Sequence, residues 1–155
     1  MRIKQCLLSA CVIIFFCSCA TTPPVNVNDL KTAVAQSHQA LVKEIPEKSR
    51  IAILNIVSED PVISDYIIEE LVELTVKTRR YRVIDRDNLD ILRAEQSFQM
   101  SGEVDDQTIV SAGRFLGVSM IITGSVRHKG KHRQLQLRVL DVETAEILAS
   151  AYAVF

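Results

Sequence analysis

The sequence predicts an α/β domain of the α+β kind, a mixed five-stranded sheet packed with two or three helices, and three observations carry that prediction. Residues 51–57 (Ile-Ala-Ile-Leu-Asn-Ile-Val) and 118–126 (Val-Ser-Met-Ile-Ile-Thr-Gly-Ser-Val) are near-continuous apolar runs rich in branched side chains, the pattern of strands buried on both faces. After Asp60-Pro61, the residues Ile63, Ile67, Leu71 and Leu74 recur three or four apart, a helical core stripe. Near the end, Leu135, Leu137, Val139 and Val142 roughly alternate with Gln136, Arg138 and Asp141, so this strand has one wet face.

Taken in order, the chain opens on a leader. Arg2 and Lys4 precede an apolar segment from about Cys6 to Phe16, and small Ser18 follows, the layout of a secretory signal over residues 1–18. The apolar core is shorter than the roughly 20 residues a membrane-crossing helix needs. Residues 19–28 are polar and carry Pro23-Pro24, which suits an extended linker. An amphipathic helix is expected over 29–45, capped by Asn28 or Asp29, with a narrow stripe of Leu30, Val34, Ser37, Leu41 and Ile45, ending before Pro46. Residues 46–155 are then the folded domain.

Within that domain the helix after Asp60 ends in Lys77, Arg79 and Arg80, charges that suit its negative C-terminus, and Glu73 and Lys77 form an i,i+4 pair. Residues 81–84 make a short strand, parallel to the first through the intervening helix. Asp87 or Asn88 caps a second helix of the domain through about Phe98, and Gly102 breaks the chain after it. Val104 and Ile109 are placed to staple a further helix capped by Asp105, which Gly117 stops. Residues 127–132 read as a basic turn around Gly130, and residues 147–155 as a last strand with few charges.

Charge and cysteine usage exclude several classes. Outside the leader there are sixteen basic and nineteen acidic residues, a net of about −3, so nucleic acid is not an expected partner. All four cysteines, Cys6, Cys11, Cys17 and Cys19, lie in or at the end of the leader, so no disulfide framework holds the domain. Apolar residues make up 48% of the chain, enough for packing to do that work. No nucleophile, base and orienting group can be assembled from its Ser, His and Asp residues, and there is no glycine-rich phosphate loop or zinc spacing. No catalytic residue, metal ligand or cofactor is therefore assigned. The acidic run starting at Asp85 fails as a calcium loop, since its fifth position is Leu89, its sixth Asp90 and its twelfth Gln96. His128 and His132 flank a Lys-Gly-Lys turn, where no helix aligns them as ligands. Arg127, Lys129, Lys131 and Arg133 form a local positive cluster on an acidic domain, a candidate contact for an anionic headgroup or an acidic partner.

Two resemblances complete the reading. Ser18-Cys19 after the apolar leader resembles the processing site of a bacterial lipoprotein, with Cys19 as the acylated residue, although Phe16 and Cys17 stand where a Leu and a small residue are more usual. Cys11, after Leu8-Ser9-Ala10, is rejected because almost no apolar core would precede it. Two or three acyl chains on Cys19 imply stable membrane anchoring, and Ala20 in place of Asp implies sorting to the outer membrane, with the domain on the periplasmic face.

From Arg50 onward, Ile51-Ala52-Ile53-Leu54-Asn55-Ile56, then Tyr81-Arg82-Val83-Ile84-Asp85-Arg86-Asp87-Asn88-Leu89, Glu95-Gln96, Leu116-Gly117-Val118 and Ile122-Thr123-Gly124-Ser125-Val126 resemble, in that order, the CsgG-type family. That family includes curli production assembly and transport lipoproteins and the related penicillin-binding protein activator lipoproteins. The resemblance implies an envelope lipoprotein that works through protein contacts and has no catalytic residues to transfer. It implies an accessory or assembly factor with an envelope protein partner, with a curli-type secretion channel as the second reading, and it leaves homo-oligomerisation open.

Overall fold

The computed structural model describes residues 26–84 and 105–155. Helix α1 (Val27–Leu41) is followed by β1 (Arg50–Val57), α2 (Pro61–Lys77), β2 (Arg82–Val83), α3 (Asp106–Leu116), β3 (Met120–Lys129), β4 (His132–Asp141) and β5 (Ile147–Val154). The five strands form one mixed sheet in the order β2-β1-β3-β4-β5. β1 runs parallel to both β2 and β3, and β3, β4 and β5 form an antiparallel meander. The expected fold class is thus the observed one. The helix expected at 87–98, the rejected calcium loop, the Val104 staple, the leader and Cys19 lie outside the described residues.

Each helix begins where a short polar side chain can accept an otherwise unpaired N–H. Asp60 Oδ1 accepts from Val62 N at 3.0 Å, and Pro61 occupies the first turn of α2, where a missing N–H costs nothing. Asp105 Oδ1 accepts from Thr108 N at 3.0 Å to start α3, which closes on Gly117 in the left-handed conformation. α1 differs from expectation: its cap is Asn26, whose side chain accepts from Asn28 N, and the helix ends at Leu41. Starting at Val27 keeps Asp29 in the first turn, where its charge favours the positive end of the helix. The last two residues of the expected linker are therefore helical.

Side chains alternate across the sheet, and both faces are covered unequally. On one face Ile51, Ile53, Met120, Ile122, Leu135, Leu137 and Val139 meet Leu30, Val34 and Leu41 of α1 and Ile63, Ile67 and Leu71 of α2. On the other, Ala52, Leu54, Ile121 and Leu140 meet Ile109 and Val110 of α3. Burying each large aliphatic side chain contributes roughly 2 kcal/mol, so α1, which supplies Leu30, Val34, Leu41 and the following Ile45 to the main core, is a structural member of the domain. A folding unit drawn at 46–155 omits it. Tyr81 ties the same region together, its hydroxyl donating to the Val42 carbonyl at 2.7 Å.

Two irregularities shape the sheet. Between Ile53 and Ile56 the pairing of β1 with β3 shifts, and Asn55 takes a left-handed φ of 52°, a conformation Asn tolerates better than most residues. The β3–β4 ladder runs unbroken from Met120↔Asp141 to Lys129↔His132, so the expected turn over 127–132 is in fact two strand ends joined by Gly130 and Lys131 alone. The charges on Arg127 and Lys129 masked a strand whose pairing is set by the backbone. Gly130 supplies φ 64° at the first turn position, which a two-residue hairpin turn of matching twist requires.

Candidate functional site

Among the described residues, the end of the β3–β4 hairpin runs past the strands on either side of it. β1 leaves β3 at Val57↔Ser125, and β5 leaves β4 where Phe155 and Arg133 exchange two backbone hydrogen bonds of 2.9 Å. Residues 127–132 therefore extend past both neighbouring strands as a two-stranded arm. Three of the four basic residues singled out in the sequence lie on it, Arg127 and Lys129 in β3 and Lys131 in the turn, while Arg133 of β4 stands at its base, paired with Phe155.

The register divides them between faces. Residues directly opposite share a face, so Arg127 and Lys129 stand with Gln134 and His132, while Arg133 stands with His128. The cluster read as one patch is a positive arm with charge on both sides. Glu59, in the loop leading to α2, reaches the second side, its Oε2 lying 3.4 Å from His128 Nε2. Both partners are largely exposed, so this pair is screened and contributes little to stability. His128 and His132 face opposite ways, and among the described residues no group of three His, Cys, Asp or Glu side chains is placed to hold a metal ion.

At the base of the arm lies a feature the sequence reading missed. A groove of about 590 Å³ opens at the carboxyl end of β1, lined by Asn55, Ser58, Thr123, Ser125, Gln136 and Arg138 among others, with Arg127 at its rim. It occupies the part of the sheet face that α3 leaves uncovered. Asn55 bends the strand there, and its carbonyl accepts from Thr123 Oγ1 at 3.0 Å. Gln136 Nε2 donates to the Tyr152 hydroxyl at 2.8 Å on the next strand. Arg138 is held by both oxygens of Asp106, at 2.9 and 3.1 Å, so its charge is already balanced. The signal was available in Thr123-Gly124-Ser125 and Asn55, small polar residues interrupting two otherwise apolar strands. Parallel strands that diverge open such crevices at their carboxyl ends, here where β1 ends beside β3 and β4 continues past it.

The arm and groove together offer positive charge, amide and hydroxyl groups, suited to binding by contact. The groups whose titration burial shifts lie elsewhere: His38 of α1 is pushed below its ordinary value, and the Tyr81 phenol above its own.

Comparison with known proteins gives two results. The fold matches the C-terminal domain of LpoB from Escherichia coli with a TM-score of 0.70 at 12% identity, covering 82% of this chain and 98% of that one. The corresponding domain from Salmonella enterica gives 0.66 at 12% identity, with the same coverage. The NMR structure of E. coli LpoB gives 0.66 at 14% identity, covering 99% of this chain and 81% of that one. At these identities the likeness establishes the fold alone. No curated protein sequence matches. The family model described as "Curli production assembly/transport component CsgG" matches residues 18–132, a span that takes in both buried strands, the α2 crossover and the first strand of the arm. The chain belongs to the CsgG family.

Proposed function

We propose that this chain is a non-enzymatic lipoprotein of the outer membrane, anchored through Cys19, whose periplasmic domain binds an envelope protein partner and acts as an accessory or assembly factor in envelope biogenesis, for example in activating peptidoglycan synthesis. The observation that carries the reading is the basic arm projecting beyond both neighbouring strands, a surface built for contact on a domain of net negative charge. Family membership and the LpoB-like fold support it. In this reading Arg127, Lys129, Lys131 and Arg133 meet an acidic surface of the partner.

The anchor sets a geometric limit. Only seven peptide steps separate Cys19 from the Asn26 cap of α1, a reach of at most about 25 Å. A partner of the domain therefore works close to the anchoring membrane or extends toward it.

The test has two arms. Metabolic labelling with a fatty acid should tag the wild-type chain and not Cys19→Ser, whereas Cys11→Ser should leave labelling unchanged. A photo-reactive residue at Lys129 should capture one discrete envelope protein in intact cells, and Lys129→Glu with Lys131→Glu should abolish copurification of that protein. Label retained in Cys19→Ser rejects the anchor, and unaltered copurification rejects the arm as the contact.

The description of the matching family as a transport component favours a second reading, a secretion-channel protomer. It predicts conductance steps from purified lipidated protein in planar bilayers together with a ring-shaped oligomer.

A further inference from the structure

β5 is an edge strand, and past the irregular pairing opposite Val139 and Leu140 at its start it lacks the devices by which edges are normally protected. Residues 147–155 contain no charge and no proline, and among the described residues no strand pairs with the outer side of β5. Edge strands of this composition invite pairing with another chain. The ladder with β4 fixes which backbone groups are available. Phe155 exchanges both hydrogen bonds with Arg133, so along an antiparallel pair the inward-bonding residues are Ala153 and Ala151. The N–H and C=O groups of Ser150, Tyr152 and Val154 therefore point outward. Tyr152 and Val154 are also 60% and 56% exposed, an apolar strip beside an open row of donors and acceptors.

We infer that the outer edge of β5 docks a second copy of this chain, the two β5 strands pairing antiparallel about a two-fold axis at Tyr152. Three observations select this occupant. The outward set is self-complementary: with Tyr152 opposite Tyr152, Ser150 faces Val154 of the other copy, and all three outward residues form bonded pairs. The two ends of β5 carry opposite charge, since the basic arm lies beyond Val154 and the β4–β5 turn, which follows Asp141, contains Glu143 and Glu146. Antiparallel pairing brings the arm of each copy alongside the acidic turn of the other. In this register Arg133 of one copy stands two strand spacings, about 10 Å, from Ala149 of the other, and its arm tip stands level with Glu146, within reach of extended side chains. Parallel pairing would set like charges side by side. The product is one continuous sheet through both copies, closed by symmetry, with neither β5 left as an edge.

The experiment reads the register directly, on the full chain purified in detergent. Backbone partners in a bonded antiparallel pair lie about 5.5 Å apart, within disulfide range. Tyr152→Cys should therefore form a covalent dimer under mild oxidation, while Ser150→Cys, whose copy would lie four residues away, should not. Sedimentation should give a dimer for the wild type and a monomer of unchanged circular dichroism for Tyr152→Lys. Glu143→Lys with Glu146→Lys should weaken the dimer at least tenfold, and adding Lys131→Glu with Arg133→Glu should restore it. The inference is overturned by a wild-type chain that stays monomeric at 100 µM, including one whose edge cross-links to a different envelope protein. It is overturned equally by a dimer in which Ser150→Cys cross-links as readily as Tyr152→Cys.

Discussion

Arg138 and Asp106 form a two-pronged ion pair that fastens the first turn of α3 to the middle of β4, with contacts of 2.9 and 3.1 Å. The carboxylate sits where the helix N-terminus favours negative charge, and the guanidinium fork matches its two oxygens. Asp106 side-chain exposure of 40% tempers the energy through solvent screening. A double-mutant cycle of Arg138→Met and Asp106→Asn, read by urea unfolding, should give a coupling of about 1 kcal/mol. Additive losses would mean the two residues act independently.

α1 is predicted to be indispensable to folding. Leu41 and Val34 are wholly buried, and truncating a buried Leu to Ala costs about 2–5 kcal/mol. Leu41→Ala should lower the unfolding free energy by about 3 kcal/mol, and a chain beginning at residue 46 should lose its cooperative transition. A sharp, unchanged melt for that shortened chain would refute this account of the core.

His38 makes stability depend on pH. Its Nε2 lies 3.1 Å from Thr75 Oγ1, which itself donates to the Leu71 carbonyl at 2.6 Å, so the imidazole is the donor in that contact. Burial lowers its titration below the ordinary value of 6.5. The unfolded chain then binds the proton more readily, so the contribution of His38 is fully present above pH 6.5 and declines as pH falls toward the folded-state value. Urea midpoints measured from pH 7.5 to 5 should fall for the wild type and fall less for His38→Gln. Equal slopes in the two proteins would remove His38 as the source.

Gly113 governs how closely α3 approaches the sheet. A Cβ there would stand 2.5 Å from Ile121 Cδ1 and 2.9 Å from Val142 Cγ2. Alanine in a helix interior is ordinarily worth about 1 kcal/mol over glycine, but overpacking costs about 1–3 kcal/mol. Gly113→Val should therefore destabilise by about 2 kcal/mol, and Ile121→Val should recover part of the loss by withdrawing the obstructing methyl. A neutral Gly113→Val would show that α3 can shift outward freely.

These relationships also mark how far the chain could be read without its structure. β1, α2 and the start of α3 were legible because each rests on neighbours in sequence: a run of branched residues, Asp60-Pro61 before a stripe, and Asp105 as a cap. The weight carried by α1 was not, since the stripe of Leu30, Val34, Ser37 and Leu41 is widened by small Ala33 and polar His38, which tertiary packing buries. The arm was seen as charge and missed as strand, because strand pairing is made by backbone groups that a row of lysines and arginines conceals. The groove depends on which strands end side by side, and Asn55 and Thr123 meet across 68 positions.

The packing of α1 against β4 and β5 has a consequence for how the molecule is made. Residues near position 30 meet α2 early but find their partners in β4 and β5 only when residues up to about 150 have emerged, so the main core closes last on a growing chain. Such distant contacts slow folding, because the entropy of a long loop is lost before the contact returns anything. The main core of such a chain stays open until β5 is synthesised, and through that interval its apolar sheet face is exposed to wrong contacts.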